Sequence, residues 1–246
     1  MPNIGCCGFP VAQEKYYKTF SVVEVQLTFY DFVNTETLRR WREQAPQDFE
    51  FIIKVSQFIT HPSSSPTYRR AKKLKELNLS HLGSFQPTKE VFDCYKTTVE
   101  YAEILGSKIL IFQSPPSFSP DEKNIKNMER FFHRIERKNL VFGWESRGKW
   151  KPEEVKEICT RFDLIDVVDP FVRDSVYGPI FYYRLHGGKG YRKKFSNEEL
   201  NSLFEKTKGK NGYVMFNNIA MFEDAQRFEK LMEIEKWQPR KHGIMK

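Results

Sequence analysis

Eight short apolar, β-branched segments, each closing on a polar or charged residue and separated by charged stretches of helical period, predict an α/β fold. The expected architecture is a single closed (β/α)₈ TIM-type barrel, with an enlarged loop–helix excursion after the third strand. The chain's 246 residues suit one such domain with a sizeable core. The segments run over 3–7, 22–29, 49–56, 108–113, 140–145, 164–169, 181–186 and 213–217. In this architecture the chemistry sits at the C-terminal ends of the strands. The sequence therefore points to a place before it points to a reaction.

The first unit is short, with strand 4–8, a break at Phe9-Pro10 and a brief helix at 13–18. In the second, Val23, Val25 and Leu27 alternate with Glu24, Gln26 and Thr28, as when one set of positions points into a barrel. Thr35 is the expected N-cap of a helix over 36–44, with Leu38 and Trp41 on one face and Pro46 as its stop. About fifty residues separate the third and fourth strands, twice the usual unit. They comprise the loop His61-Pro62-Ser63-Ser64-Ser65-Pro66, a basic stretch and a helix over 88–105 closed by Gly106. The basic stretch, 68–79, holds Arg69, Arg70, Lys72, Lys73 and Lys75, with Leu74 and Leu77. This segment is expected to pass over the barrel without a core of its own.

Later units are regular. Pro120-Asp121 opens a helix ending near Lys138, and Pro152-Glu153-Glu154 opens the next. Ser196 and Glu199 form a capping box, and 220–235 is the last helix. One barrel domain over 1–238 and a basic C-terminal tail over 239–246 complete the division.

Composition narrows the function classes. No run of 18 apolar residues is present, so no membrane partner is expected. No signal-peptide pattern follows Met1, and a cytoplasmic location is the default. Of the four cysteines, Cys6 and Cys7 are adjacent and Cys94 and Cys159 are isolated, which gives no CxxC spacing. Small buried thiols are the ordinary reading. A net charge of +8 favours anionic partners, although solvated surface lysines give the same balance.

The strand ends carry the candidate site. The second strand delivers Glu24 and Gln26, followed by Phe29 and Tyr30; the third delivers Lys54, followed by His61. Gln113 ends the fourth, Glu145 and Arg147 the fifth, and Asp169 the sixth. Arg184 and His186 end the seventh, and Asn217 and Asn218 the eighth. Buried charges are costly unless paired, so these groups must meet one another or a ligand. Glu24 with Arg184, and Lys54 with Glu145, are candidate internal ion pairs.

After the seventh strand, Gly187, Gly188, Lys189, Gly190 and Tyr191 form either a phosphate-binding loop or a surface turn. GGKG is not a Walker sequence, because no Ser or Thr follows it. His61 and His186 with Glu145 or Asp169 are the available donors for a divalent metal ion, without HxH or HExxH spacing. No GxSxG elbow supports a serine nucleophile.

Several segments resemble the YecE-like family, domain of unknown function 72. They are Val23-Glu24-Val25-Gln26-Leu27-Thr28-Phe29-Tyr30, Lys54 through His61, Phe112-Gln113-Ser114-Pro115-Pro116-Ser117-Phe118, Arg184-Leu185-His186-Gly187 and Tyr213-Val214-Met215-Phe216-Asn217-Asn218. The resemblance implies a TIM-like barrel without assigning an activity; by barrel analogy it suggests kinship with apurinic-site endonucleases. Two departures stand out. Cys7 takes a place where the family usually has serine, and Glu145-Ser146-Arg147-Gly148 lacks the histidine usual after the fifth strand.

Two functional readings follow. In the first, a nucleic-acid-binding (DNA) or phosphodiester-hydrolysing enzyme uses Lys54, Arg184 and Lys189 on phosphate oxygens. Exposed Phe29, Tyr30 or Tyr191 would stack on bases, Glu145 would act as base, and His186 or His61 as acid. In the second, the amides of Gln26, Gln113, Asn217 and Asn218 recognise a small anionic metabolite such as a phosphorylated sugar. The sequence leaves cofactor and oligomeric state open.

Overall fold

The structure, a computed structural model, describes residues 1–72 and 77–237. Lys73, Leu74 and Lys75 of the basic stretch, the side chain of Lys189 and the tail at 239–246 lie outside the described residues. Eight parallel strands close into a barrel in sequence order. They are β1 (Asn3–Cys7), β2 (Val22–Val25), β3 (Glu50–Lys54), β4 (Ile109–Ser114), β5 (Val141–Ser146), β6 (Leu164–Val168), β7 (Phe181–Leu185) and β8 (Gly212–Phe216). The helices are α1 (Gln13–Tyr17), α2 (Leu27–Tyr30), α3 (Thr35–Gln44), α4 (Gln57–Thr60), α5 (Lys89–Leu105), α6 (Glu122–Arg134), α7 (Pro152–Phe162), α8 (Asn197–Thr207) and α9 (Met221–Trp237).

Strand parity divides the side chains. Val22, Ile52, Ile111, Ile165, Val167, Tyr182 and Met215 pack together inside the barrel. Their sequence neighbours Val23, Phe51, Ile53, Leu110, Phe112, Leu164 and Val214 join the core beneath the helices. Two interior positions must be glycine. A Cβ on Gly5 would lie 2.4 Å from the Val22 carbonyl oxygen, and one on Gly143 would lie 2.8 Å from Val167. Above this apolar filling the interior turns polar with Cys7, Glu24, Lys54, Glu145 and Arg184, all buried.

β2 is shorter than its alternating pattern predicts. It ends at Val25, and the chain turns into α2, where Phe29 N donates to Gln26 O at 3.2 Å. The Thr28 hydroxyl donates to the Lys54 carbonyl at 2.9 Å, a bond between neighbouring strand ends that an extended Thr28 would forgo. Asn34, not Thr35, caps α3, because its side-chain oxygen accepts from Glu36 N at 2.9 Å. α6 stops at Arg134, short of Lys138, as Ile135 turns extended. Arg137 then donates to the Leu140, Phe162 and Asp163 carbonyls at 3.0, 3.0 and 2.7 Å.

The excursion shares the barrel's core, as expected. Phe85 is fully buried against Phe112, Phe118, Phe131 and Phe132, with centroids 5.4–6.1 Å away. Gly83 makes this possible: at φ +80° it donates to Phe58 O at 2.7 Å, where a Cβ would meet His61 O at 1.8 Å. The Ser196–Glu199 capping box of α8 is present, at 3.2 and 3.0 Å. Ser196→Ala is expected to cost about 1 kcal/mol, read as a lowered urea midpoint with unchanged slope.

Candidate active site

The seventh strand places Arg184 at the centre of the polar layer, with no exposure to solvent. Its Nε and Nη2 donate to the two Glu24 oxygens at 3.0 and 2.8 Å, and Nη1 donates to Glu145. Nη2 also lies 3.7 Å from Cys7 Sγ. Tyr182, two residues earlier on the same inward face, donates its hydroxyl to Glu24 at 2.8 Å. Gln26 donates its amide to Glu24 from above. A bidentate guanidinium–carboxylate pair in a dry interior is strong and geometrically exacting. Two carboxylates against one guanidinium leave one formal negative charge, which Lys54 in the same layer offsets when protonated.

Glu145 faces the mouth. Its Oε1 lies 2.8 Å from His186 Nε2 and 3.6 Å from Arg147 Nε. Burial alone would raise its pKa, but Arg184, His186 and Arg147 outweigh burial and hold the carboxyl well below the usual carboxylate range. Asn217 Nδ2 approaches His186 Nδ1 at 3.2 Å, and Asp169 accepts from the His186 backbone N–H at 3.0 Å. With Asn217 donating to Nδ1, the imidazole proton lies on Nε2 and points at Glu145. Tyr191, at the rim, sets its ring 5.4 Å from His186 and accepts from Arg147 Nη1 at 2.7 Å.

Lys54 is the odd member. Its Nζ stands 3.7 Å above the Phe29 ring and, among the described residues, makes no ion pair or hydrogen bond. Burial first, then Arg184, push its pKa down to about 7, with Glu24 and Glu145 opposing. His61, the residue after α4, contacts the Thr60 hydroxyl at 2.8 Å. Burial, then Lys54 and Arg147, lower its pKa to about 3, so it is neutral at pH 7.

The expected site residues thus divide. Glu24, Lys54, Glu145, Arg184, His186 and Asn217 meet at one mouth, with Gln26, Arg147 and Tyr191 around them. Gln113, next to last in β4, lies beside them, its side chain hydrogen-bonded to no described residue. Glu24 pairs with Arg184 as expected, but Arg184 also takes Glu145, which leaves Lys54 outside the ion pairs.

Three expectations are corrected. Arg184 cannot hold a phosphate as expected, because the carboxylates close off its guanidinium. Phe29 is no exposed stacking ring: it is 2% exposed, wedged under Lys54 with its edge on His61. Asn218 faces away from the mouth, donating to Lys193 O at 2.8 Å and Asp224 at 2.7 Å. Tyr30 is half-buried beneath the Arg70 guanidinium, 3.6 Å from its ring centroid, which ties the basic stretch to the rim. Gly187 turns the chain after β7 at φ +69°.

Sequence reasoning missed Tyr182, although its inward parity with Arg184 was a usable signal. It also missed Arg173, which clamps the buried Asp166 through two 2.6 Å contacts. Among the described residues no group of three His, Cys, Asp or Glu side chains is arranged to hold a metal ion. Both Glu145 oxygens are engaged by cationic or N–H donors, and Asp169 holds backbone amides. The donor set does not fit a metal.

A closed ring of eight parallel strands with its charged groups gathered at the C-terminal mouth defines a (β/α)₈ barrel protein. The chain belongs to the family described as "Protein of unknown function DUF72", whose model matches residues 12–244. It is 23% identical over 123 residues to the UPF0759 protein YunF of Bacillus subtilis, a match covering 50% of this chain and 38% of that protein. DUF72 family structures from Enterococcus faecalis and Thermotoga maritima superpose with TM-scores of 0.68 and 0.67, each 19% identical, and cover 95% of this chain and 98% and 99% of theirs. The barrel is also similar to that of endonuclease IV from Thermus thermophilus (TM-score 0.57, 10% identity, 95% and 100% covered). At these identities the structural likenesses establish the fold alone. No described helix is long and apolar enough to cross a membrane.

Proposed function

We propose that the mouth is an acid–base active site for sugar–phosphate units, and that its substrate is a nucleic acid whose phosphodiester it hydrolyses. The Glu145–His186 pair at the barrel mouth carries this reading. A carboxyl held as low as Glu145 is a weak proton acceptor, so the base role shifts from Glu145 to His186. Glu145 fixes the ring through Nε2, while Nδ1 takes the proton of an attacking water that displaces the half-buried Asn217 amide from it. Arg147, one-third exposed beside this pair, is the cation placed to meet a phosphate oxygen.

The rim supports a large ligand. Leu27 at the start of α2 and Phe171, Val172 and Ile219 in the segments after β6 and β8 are exposed, and Tyr191 is 37% exposed. An aromatic face beside cations suits a base or an abasic gap. The fold likeness to endonuclease IV agrees with this choice without deciding it.

The second reading, a small phosphorylated sugar, is favoured by the narrow opening: Lys54, Glu145 and His186 are 5%, 4% and 7% exposed. Anisotropy with a fluorescent oligonucleotide, intact or carrying an abasic site, separates the two. About three phosphate contacts would weaken duplex binding on the order of 40-fold between 50 and 200 mM salt. No binding at the lower salt would reject the nucleic-acid reading.

A further inference from the structure

We propose that Lys54 is an amine nucleophile that forms an imine with the aldehyde of a ring-opened sugar held at the barrel mouth. The inference rests on the sugar–phosphate reading above and adds the bond that forms.

Three observations carry it. First, Lys54 ends β3 inside the barrel, in the layer of Glu24 and Glu145, yet Arg184 and His186 take the carboxylate oxygens and leave the amine without a described partner. A lysine retained to neutralise a carboxylate would rest on one. Second, its Nζ keeps some accessible surface, since the fully enclosed unpartnered polar atoms among the described residues are Gln57 Oε1 and Asn218 Oδ1. The amine is thus presented to the mouth, with Phe29 as its floor. Third, titratable groups lie within electrostatic reach of it: neutral His61, whose ring feels the Lys54 charge, and Glu145, which itself holds His186. Burial adds the last requirement, because an amine brought down to about 7 is about half unprotonated at neutral pH.

The step balances without an oxidant or reductant. The Nζ lone pair adds to the carbonyl carbon, a C–N bond forms, and the π electrons move to oxygen. That oxygen takes a proton and nitrogen releases one, giving a carbinolamine. Protonation of its hydroxyl and loss of water then leave the C=N bond, and the second nitrogen proton is returned to water. An abasic nucleotide and a free sugar phosphate both present such an aldehyde.

Cyanoborohydride trapping on the intact protein tests this, with an abasic-site oligonucleotide and D-ribose 5-phosphate as separate probes and peptide mapping by mass spectrometry. A surface lysine at pKa about 10.4 is roughly one part in 2,500 free amine at pH 7, so trapping at Lys54 should exceed that at any surface lysine by roughly 10²–10³-fold. Its rate should rise to a plateau through pH about 7. Lys54→Met and Lys54→Arg should abolish the adduct while keeping the native circular dichroism spectrum. Trapping of the sugar phosphate without oligonucleotide binding would support the imine and overturn the nucleic-acid reading. Oligonucleotide binding with no adduct from either probe would overturn the imine and leave that reading standing. Adducts spread over surface lysines, or unchanged in Lys54→Arg, would also overturn it.

Discussion

Replacing Arg184 with methionine is expected to destabilise the protein by about 3–5 kcal/mol, the cost of leaving buried charge without its partner. The guanidinium is completely buried and serves two carboxylates from different strands, Glu24 from β2 and Glu145 from β5. Methionine fills much of the volume, so packing changes little and the loss reports electrostatics. Both carboxylates are buried, Glu24 with no exposure and Glu145 4% exposed, so neither is well solvated once the guanidinium is gone. Urea titration should show the midpoint falling with little change in slope. Adding Glu24→Gln should recover part of the loss, since the two sites share one network and are not additive.

The pH dependence has a definite sign. Glu145 in the folded protein is held well below the usual range, so its share of stability is present above the unfolded carboxyl pKa of about 4.3 and is lost as pH falls below it. In the variant that depressing charge is absent, and the gap between the two proteins should narrow in acid. A loss under about 1 kcal/mol at pH 7 would mean that the network relaxes easily, contrary to its burial.

What the sequence revealed follows from how each feature is encoded. Strands and caps are local: runs such as Phe51-Ile52-Ile53 and the Ser196–Glu199 pair specify their own conformation, and β parity placed Glu24, Lys54, Glu145, Arg184 and His186 inside one ring. The allocation of partners is not local. Two carboxylates competed for two cations, and only the tilt and register that bring β2, β5 and β7 together give both to Arg184. Phe29 was misplaced for a related reason. Its extended-looking neighbours predict a longer β2, but the Thr28 bond to the next strand curls α2 and drives the ring under Lys54. Asn218 follows the parity rule and yet looked like a site residue, because adjacent asparagines are indistinguishable in sequence until Asp224 on α9 claims the outward one.

Lys54→Met should act in the opposite direction to Arg184→Met, stabilising the protein by about 1–4 kcal/mol at neutral pH while removing the proposed chemistry. The folded pKa of about 7 lies below that of an unfolded lysine near 10.4, so protonated Lys54 is a net burden on the fold despite the nearby carboxylates. Below pH 7 both states carry the proton and the burden is constant. Between pH 7 and 10 the unfolded chain keeps the proton that the folded chain has lost, so the lysine's contribution improves as pH rises. The methionine variant lacks this relief, and its advantage should shrink towards pH 10. Buried Cys6, raised to about 12, works against stability in the same interval, but it is common to both proteins and cancels in their difference. His61, lowered to about 3, titrates on the acid side and does not intrude. Paired urea titrations at pH 7 and 10 read the effect directly. A variant less stable than the parent at pH 7 would make Lys54 a structural counter-ion of Glu24 and Glu145; a more stable one identifies a charge that the fold carries at a cost, as expected of a residue kept for reaction.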